Sequence, residues 1–355
     1  MKTLRAVPTP LVKDEKGAHF GYTEQSLGAS CYFPNDALKL DYSATYDDGE
    51  AVPDNFSCLT YNIWGLAKDD KLKGLFKRRQ ALLEKTIAGS GADILCLQEM
   101  SPYSYGLMKP FIAGFRFASE ALTVAAMKGR NRGLEVFLLS KYKPCSVKIY
   151  GFKGVLGYDN TLMVVEYKNL VILNVYNQAG SKFSPGQEHK WIHYARCRYD
   201  IMNSMYNIVQ TLGKKVRCIV CGDFNFDIDG SVSDCPEKTM WQKFLRGRFV
   251  DTYRAANGLG GGLTEDTDVN LMRYNQKLIE KRMRYDAILF RGGLRVASSV
   301  LVGLEEECLS TAGTRWFLKN MAGAPFASLR PCSFDKTKLS IHPSDHFGVL
   351  TRFTT

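Results

Sequence analysis

Long apolar runs are missing from this 355-residue chain. None approaches the roughly 18 residues that a membrane span needs, and the opening stretch Met1–Lys16 lacks the apolar core of a secretory signal. These absences argue against a helical membrane protein and set the expectation of a soluble chain in the cytoplasm or nucleus. Histidine is scarce at five residues and tryptophan at four, so each one beside a polar motif carries weight. A disulfide framework is also missing. The ten cysteines are dispersed, and Cys58, Cys96 and Cys218 sit inside apolar runs, the usage of small buried hydrophobes in a reducing compartment. One Cys-x-x-Cys, Cys218 to Cys221, lies in a stretch that reads as a strand. Residues three apart on a strand face opposite sides, which argues against a shared zinc.

Acid falls short of base: 36 Asp+Glu against 47 Lys+Arg leave a formal charge of +11. That excess permits a polyanionic partner, nucleic acid or an anionic membrane surface, without choosing between them. With 45% hydrophobic and 23% charged residues, the chain has globular composition. Residues 1–54 carry scattered Pro and Gly and end in Tyr46-Asp-Asp-Gly-Glu-Ala-Val-Pro, which reads as an arm with one or two edge strands and a linker. Residues 55–355 read as one large domain with an insert near 306–342 that contains Trp316 and Phe317.

Within that domain, short apolar runs alternate with helical patterns. Strands are expected over 57–64, 93–99, 134–140, 162–167, 170–176, 217–223, 285–290 and 347–353, and helices over 78–87 and 193–212. Five of the strands carry, at or beside an end, side chains suited to metal or phosphate: Asn62; Gln98 and Glu99; Tyr176, Asn177 and Gln178; Asp223 with Asn225; Asp345 and His346. Any one of them alone is better read as a turn or capping residue. Five such rims in one chain describe a cleft, and Glu, Asp and Asn oxygens with one His describe a site for a hard cation, Mg²⁺ or Mn²⁺.

Leu59-Thr-Tyr-Asn-Ile-Trp, Leu97-Gln-Glu-Met, Gly222-Asp-Phe-Asn, Arg284-Tyr-Asp and Ser344-Asp-His-Phe-Gly together resemble the motif set of the endonuclease/exonuclease/phosphatase superfamily, in order over roughly 56–355. Within it the chain is most similar to 5′-tyrosyl-DNA phosphodiesterases, which Thr264-Glu-Asp-Thr-Asp-Val-Asn and Gly303-Leu-Glu also resemble. It departs from them in the middle strand. Where that branch has a His-Leu-Glu-Ser type motif, this chain has Asn174-Val-Tyr-Asn-Gln-Ala-Gly-Ser, similar to the tyrosine arrangement of AP endonucleases. The resemblance implies the deoxyribonuclease I-like fold, a four-layer α/β/β/α sandwich of two mainly antiparallel sheets flanked by helices.

It also implies a Mg²⁺-dependent phosphodiesterase. Glu99, Asn62 and Asp345 would hold the cation, which polarises a phosphoryl oxygen. Asp223, oriented by Asn225, would deprotonate the attacking water. His346 would donate to phosphate with Asp286 on its other nitrogen, and Tyr176 and Asn177 would add uncharged donors. Trp64, Thr264, Asn270 and Arg284 would bind substrate.

Three basic runs suggest the substrate: Lys68–Arg79 at +4, Lys182–Arg198 at +3 and Arg273–Arg284 at +4. The last two contain aromatics, so a surface that tracks phosphates and stacks bases is expected, on DNA or RNA ends. Two rivals share the fold: a sphingomyelinase-like phospholipid or inositol-phosphate hydrolase, and a non-catalytic nucleic-acid-binding protein. Two motifs are set aside. Asn225-Phe-Asp-Ile-Asp-Gly imitates a Ca²⁺ loop but follows a strand and reaches Pro236 where a Glu is required. Gly258-Leu-Gly-Gly-Gly-Leu reads as a flexible loop beside the cleft.

Overall fold

Strands buried on both faces explain why this chain reads as continuous apolar runs instead of alternating ones. In the computed structural model, residues 11–14, 17–20, 39–65, 73–129, 134–153, 159–180, 188–213, 216–230, 235, 237–270, 282–310 and 340–354 are described. A hairpin of β1 (Leu11–Asp14) and β2 (Gly17–Phe20) comes first. The first large sheet is built from β3 (Lys39–Thr45), β8 (Ser146–Lys153), β9 (Asp159–Glu166), β10 (Leu170–Tyr176), β11 (Arg217–Asp223), β12 (Val250–Asp251) and β15 (Asp286–Arg291). Their spatial order is β12-β15-β11-β10-β9-β8-β3. The second holds β4 (Phe56–Asn62), β5 (Ile94–Met100), β6 (Phe117–Ala118), β7 (Glu135–Ser140), β16 (Arg295–Val302) and β19 (Gly348–Thr354), in the order β16-β19-β4-β5-β7-β6. Each sheet has one parallel pair, β10 with β11 and β4 with β5, and is otherwise antiparallel. The arm supplies an edge strand, β3, beside β8. Two short pairs complete the set, β13 (Glu265–Asp266) with β14 (Arg282–Met283) and β17 (Glu307–Cys308) with β18 (Ser340–Ile341). Residues 311–339, with Trp316 and Phe317, lie outside the described residues.

Residue alternation sorts the core into layers. On β10, Leu170 and Ile172 face the other sheet, while Val171, Leu173 and Val175 face outward. That outer face is covered by α4 (Glu188–Thr211) and α5 (Lys238–Arg246), through Ile201, Met202, Met205, Trp241 and Phe244. The second sheet's outer face, Leu59, Leu95 and Phe137, is covered by Leu83 and Ile87 of α1 (Lys73–Ser90) and Met108 of α2 (Pro102–Ile112). Two further helices, α3 (Glu120–Gly129) and α6 (Thr252–Asn257), lie at the sandwich edges. This is the expected four-layer α/β/β/α sandwich. Sequence periodicity does not announce α2. A capping box starts it, Ser101 accepting from the Ser104 amide and Ser104 accepting from the Ser101 amide, with Pro102 in its first turn.

Between the sheets, Cys58, Cys96 and Cys221 meet with their sulfurs all within 4.8 Å. Cys218, as the strand parity predicts, belongs to the other face. A polar lock crosses the same layer. Gln98 donates to Thr60 Oγ1 at 3.0 Å and to Asn174 Oδ1 at 2.8 Å, and Asn174 donates to the Leu97 carbonyl at 3.3 Å. Buried amides are satisfied in only one arrangement, so the lock sets how β5 lies over β10 and brings Glu99 opposite Tyr176.

Gly222 pairs with Val175 of β10 at φ +138°, and a Cβ there would meet the Val175 carbonyl oxygen at 2.0 Å. Gly222→Ala is expected to lower unfolding free energy by at least about 2 kcal/mol in urea titrations, through strain and backbone overlap. A loss within about 0.5 kcal/mol, the scatter of neutral surface changes, would refute that account.

Candidate active site

Asn62, Glu99, Tyr176 and Asp223 meet at one edge of the sandwich, because parallel β4 and β5 in one sheet and β10 and β11 in the other bring their C-terminal ends to the same rim. Asn62, Glu99, Tyr176, Asp223 and Asn225 form a single hydrogen-bonded chain there. Asn62 Nδ2 donates to Glu99 Oε1 at 3.1 Å and to Asp223 Oδ2 at 2.9 Å. Tyr176 donates its hydroxyl to Glu99 Oε1 at 2.9 Å. Asn225 donates its backbone amide to Asp223 Oδ1 at 2.9 Å and its side chain to Oδ2 at 3.0 Å. His346 Nδ1 lies 2.7 Å from Asp286 Oδ2, and one ligand atom each of Asp223, Asp286 and His346 fall within 4.8 Å of one another. Asp345 is buried beside them, and Ser344 ties this turn to β4 by donating to the Asn62 carbonyl at 2.7 Å.

Backbone strain accompanies the cluster. Among the described residues four non-glycines have positive φ, and three of them are Trp64 at 51°, Glu99 at 58° and Asn225 at 55°. Left-handed backbone at three strand ends is costly and persists where surrounding contacts enforce it. Gly65 marks one such enforcement, since a Cβ there would stand 1.8 Å from the Glu99 carbonyl oxygen.

Gathering carboxylates away from water shifts their protonation. Burial, then the neighbouring Asp345 charge, push the Glu99 carboxyl above its ordinary range, against the hydrogen bonds from Asn62 and Tyr176. Burial and Asp286 push Asp223 up to about 8. Burial opposes charge on His346, yet Asp286, with Asp223 and Asp345 behind it, holds the imidazole well above the ordinary histidine range. Two buried oxygens, Glu99 Oε2 and Asp286 Oδ1, have no hydrogen-bond partner among the described residues. A buried carboxylate oxygen without a donor is what a cation would satisfy, and the oxygen-rich donor set suits Mg²⁺ or Mn²⁺.

Other expected residues lie behind the cleft. Asn177 turns its side chain away: its Oδ1 accepts the Gln178 amide at 2.9 Å, and its backbone carbonyl holds Asn225 at 3.0 Å. Asn62 points nitrogen, not oxygen, at the carboxylates, because its Oδ1 accepts the Trp64 amide at 2.9 Å. Trp64 is buried with the Arg79 guanidinium 4.7 Å above its ring. The Thr264 hydroxyl accepts the Tyr285 and Asp286 amides at 2.9 and 3.0 Å, and Asn270 donates to the Ser344 carbonyl at 2.7 Å. Arg284 is buried between Asp229 and Asp251, at 2.9 and 2.6 Å.

The basic runs show the same inward turn. Arg79, ending the first, donates to the Ile63 and Trp64 carbonyls at 3.2 and 2.8 Å, and burial lowers its pKa to about 10. Arg198, ending the second, pairs with Glu237 at 2.5 Å and holds the Gln178 and Gly180 carbonyls at 3.1 and 2.8 Å. Arg284 ends the third. These arginines brace the rim from inside and do not face a ligand. Residues 66–72, 181–187 and 271–281 of the runs and their flanks lie outside the described residues. Sequence reading missed Arg79, Arg198 and Ser344 as parts of the site; only Ser344, inside the Ser-Asp-His motif, had a local signal.

Comparison with known proteins agrees with this architecture. No curated protein sequence matches the chain. Among solved structures, truncated Caenorhabditis elegans TDP2 superposes with a TM-score of 0.55 at 17% identity, over 85% of this chain and 98% of that one. D. rerio TDP2 complexed with single-strand DNA product gives 0.55 at 16% identity, over 85% and 100%. The Bacteroides thetaiotaomicron endonuclease/exonuclease/phosphatase family protein gives 0.56 at 15%, over 85% and 98%. At such identities these likenesses establish the fold. The sequence profile of the endonuclease/exonuclease/phosphatase family matches residues 59–346, from the strand of Asn62 to His346 itself, and the chain belongs to that family of phosphoester hydrolases.

Proposed function

We propose that this protein is a divalent-cation-dependent phosphodiesterase acting on nucleic-acid ends, with removal of a 5′-linked tyrosine one reaction to test. The observation that carries the reading is Glu99: a buried carboxylate oriented by Asn62 and Tyr176, with one oxygen left without a donor, next to Asp345 and facing the Asp223–Asp286–His346 group. Glu99 and Asp345 would hold Mg²⁺ or Mn²⁺, and a bound cation would neutralise phosphate charge and polarise a phosphoryl oxygen. Enzymes of this family commonly use divalent metal ions.

The remaining roles belong to the side chains. Asp223, oriented by the donors from Asn62 and Asn225, would accept a proton from water once a bound cation offsets the burial and the Asp286 charge that push its carboxyl up. His346, its Nδ1 engaged by Asp286, presents Nε2 to a phosphate oxygen as a charged donor. Tyr176 lies in the strand that resembles the tyrosine arrangement of AP endonucleases and acts on Glu99 by donating its hydroxyl. Thr264, Asn270, Arg284 and Trp64 support the site from behind instead of touching substrate. The catalytic unit spans 55–355, with the preceding arm supplying β3 and the segment 306–342 inserted before the Ser344 turn. The nucleic-acid preference draws support from the +11 charge and from the single-strand DNA product held by the D. rerio TDP2 structure.

A panel of 5′-tyrosyl DNA, abasic duplex, single-stranded RNA and sphingomyelin, each with Mg²⁺ or EDTA, tests the reading. Cleavage of at least one nucleic acid that EDTA abolishes is expected; activity confined to sphingomyelin would replace the reading with the lipid one. Asp223→Asn and His346→Ala should each lower kcat by about 10²–10⁴-fold, and full activity in either would remove that residue from the mechanism. Arg79→Met should cost about 2–3 kcal/mol of stability, as carbonyls lose a charged donor, and should lower the Mg²⁺ concentration for half-maximal rate, because a positive charge beside Asp345 and Glu99 is removed. Arg79→Lys should recover part of both, and an unchanged Mg²⁺ midpoint in Arg79→Met would limit Arg79 to folding.

A further inference from the structure

We infer that Cys58, Cys96 and Cys221 form a three-sulfur site for a soft monovalent cation, Cu⁺, between the two sheets; the inference does not rest on the phosphodiesterase reading. One sulfur from each residue lies within 4.8 Å of the other two, and all three cysteines are fully buried. They come from three strands. β4 and β5 are parallel neighbours in one sheet, and β11 packs against both from the other. In the β4–β5 register Cys58 stands opposite Ile94 and Cys96 opposite Thr60, so the two side chains share a face, one pleat apart. Cys221 meets them there from across the layer. Cysteine also packs as a small hydrophobe, and Cys218 does so in the outer layer with Val220 and Leu289. Packing alone asks only for volume, which alanine or valine would fill. It does not select sulfur at three converging positions.

Coordination number selects the ion. Three sulfurs in a plane, each about 2.3 Å from one centre, stand roughly 4 Å apart, inside the observed limit. Among the described residues the group contains no fourth Cys, His, Asp or Glu. Zinc in structural sites takes four ligands, which leaves Cu⁺, another thiolate-seeking cation, as the ion that three sulfurs suit. Charge points the same way. The Cys221 and Cys96 thiols hydrogen-bond to the Cys58 sulfur and hold its pKa below the ordinary thiol range, and Cys96 is held above that range by its contacts with Cys221 and Cys58. One thiolate between two thiols is the state that receives the ion. Cu⁺ enters as the Cys58 proton leaves to water, so a layer lined by Ile94, Ile219 and Ile288 gains no net charge. Zn²⁺ would need a second proton to leave. The bound ion would staple together the strands that carry Asn62, Glu99 and Asp223, one layer beneath the cleft.

The test produces the full chain in copper-supplemented medium, so that the ion can enter as the core closes, and purifies it without oxygen in the presence of a Cu⁺ chelator. Wild-type protein should retain a single copper ion per chain, and its X-ray absorption spectrum should show three sulfur neighbours. Cys96→Ala should lose the copper, as should Cys58→Val, which keeps more of the side-chain volume. Cys218→Ala and Cys308→Ala should retain it in full, since neither sulfur belongs to the group. The ligand shell is read on the wild type, so it decides the matter even where a variant fails to fold. Wild-type protein without copper, copper held equally by Cys96→Ala, or a shell other than three sulfurs overturns the inference. Zinc retained in place of copper overturns the choice of ion.

Discussion

Like charges held out of water are the constraint on which the rest of this structure turns. Glu99, Asp223, Asp286 and Asp345 lie buried at one rim, where Asp345 raises the cost of ionising Glu99 and Asp286 raises that of Asp223. A protein can carry such a cluster only by surrounding it with donors and opposite charge. Asn62 and Asn225 supply neutral donors to Asp223, and Tyr176 supplies one to Glu99. His346 brings positive charge against Asp286, and Arg79 adds more from behind the turn at Trp64. What these leave unsatisfied, Glu99 Oε2 and Asp286 Oδ1, is the share left for a cation.

Holding that cluster demands rigidity from parts that never reach it. The amides of Gln98 and Asn174 fix one sheet on the other, and glycines at 65 and 222 let backbones approach more closely than any side chain would permit. Left-handed backbone at Glu99 and Asn225 aims their side chains along the rim. Strain of this kind is tolerable because buried guanidinium groups bond the carbonyls of the same turns: Arg79 at Ile63 and Trp64, Arg198 at Gln178 and Gly180. Stability is thus spent at the site and recovered in the layers beneath it.

Much of this was legible residue by residue. Strands such as Leu170–Tyr176 and Arg217–Asp223 are largely apolar because both faces are covered, and their polar C-terminal ends stand out against that background. Parity on β11 separated Cys218 from Cys221. Interior arginines were not legible, because a basic run on or before an element looks the same whether its last residue faces solvent or turns inward. The partners that decide the matter, Glu237 for Arg198 and Asp251 for Arg284, lie 39 and 33 residues away in sequence. Asn177 was misleading for a similar reason: its type suits phosphate, but only the fold reveals that its side chain is used by Gln178. Glycine content suggested mobility at 258–262 because nothing local shows that Arg254 will bind three of the loop's carbonyls.

The formal charge takes on a different meaning once burial is known. Among the described residues the interior holds four arginines, at 79, 198, 284 and 291. It holds eight carboxylates, at 99, 135, 223, 237, 251, 265, 286 and 345. The described interior is therefore four charges in deficit, inside a chain whose overall formal charge is +11. The described interior is acidic on balance, whereas the chain as a whole is basic. A polyanion would be drawn to such a molecule at long range, yet its phosphate would be repelled at the cleft. Burial amplifies the repulsion by excluding the water that would screen it. Only positive charge at the carboxylates reconciles the two, and His346 with Arg79 supplies less than the four acids require. The same arrangement that would repel a phosphate by itself is one that a divalent cation would offset, so under the proposed reading attraction, admission and catalysis of a phosphodiester would all depend on the one cluster.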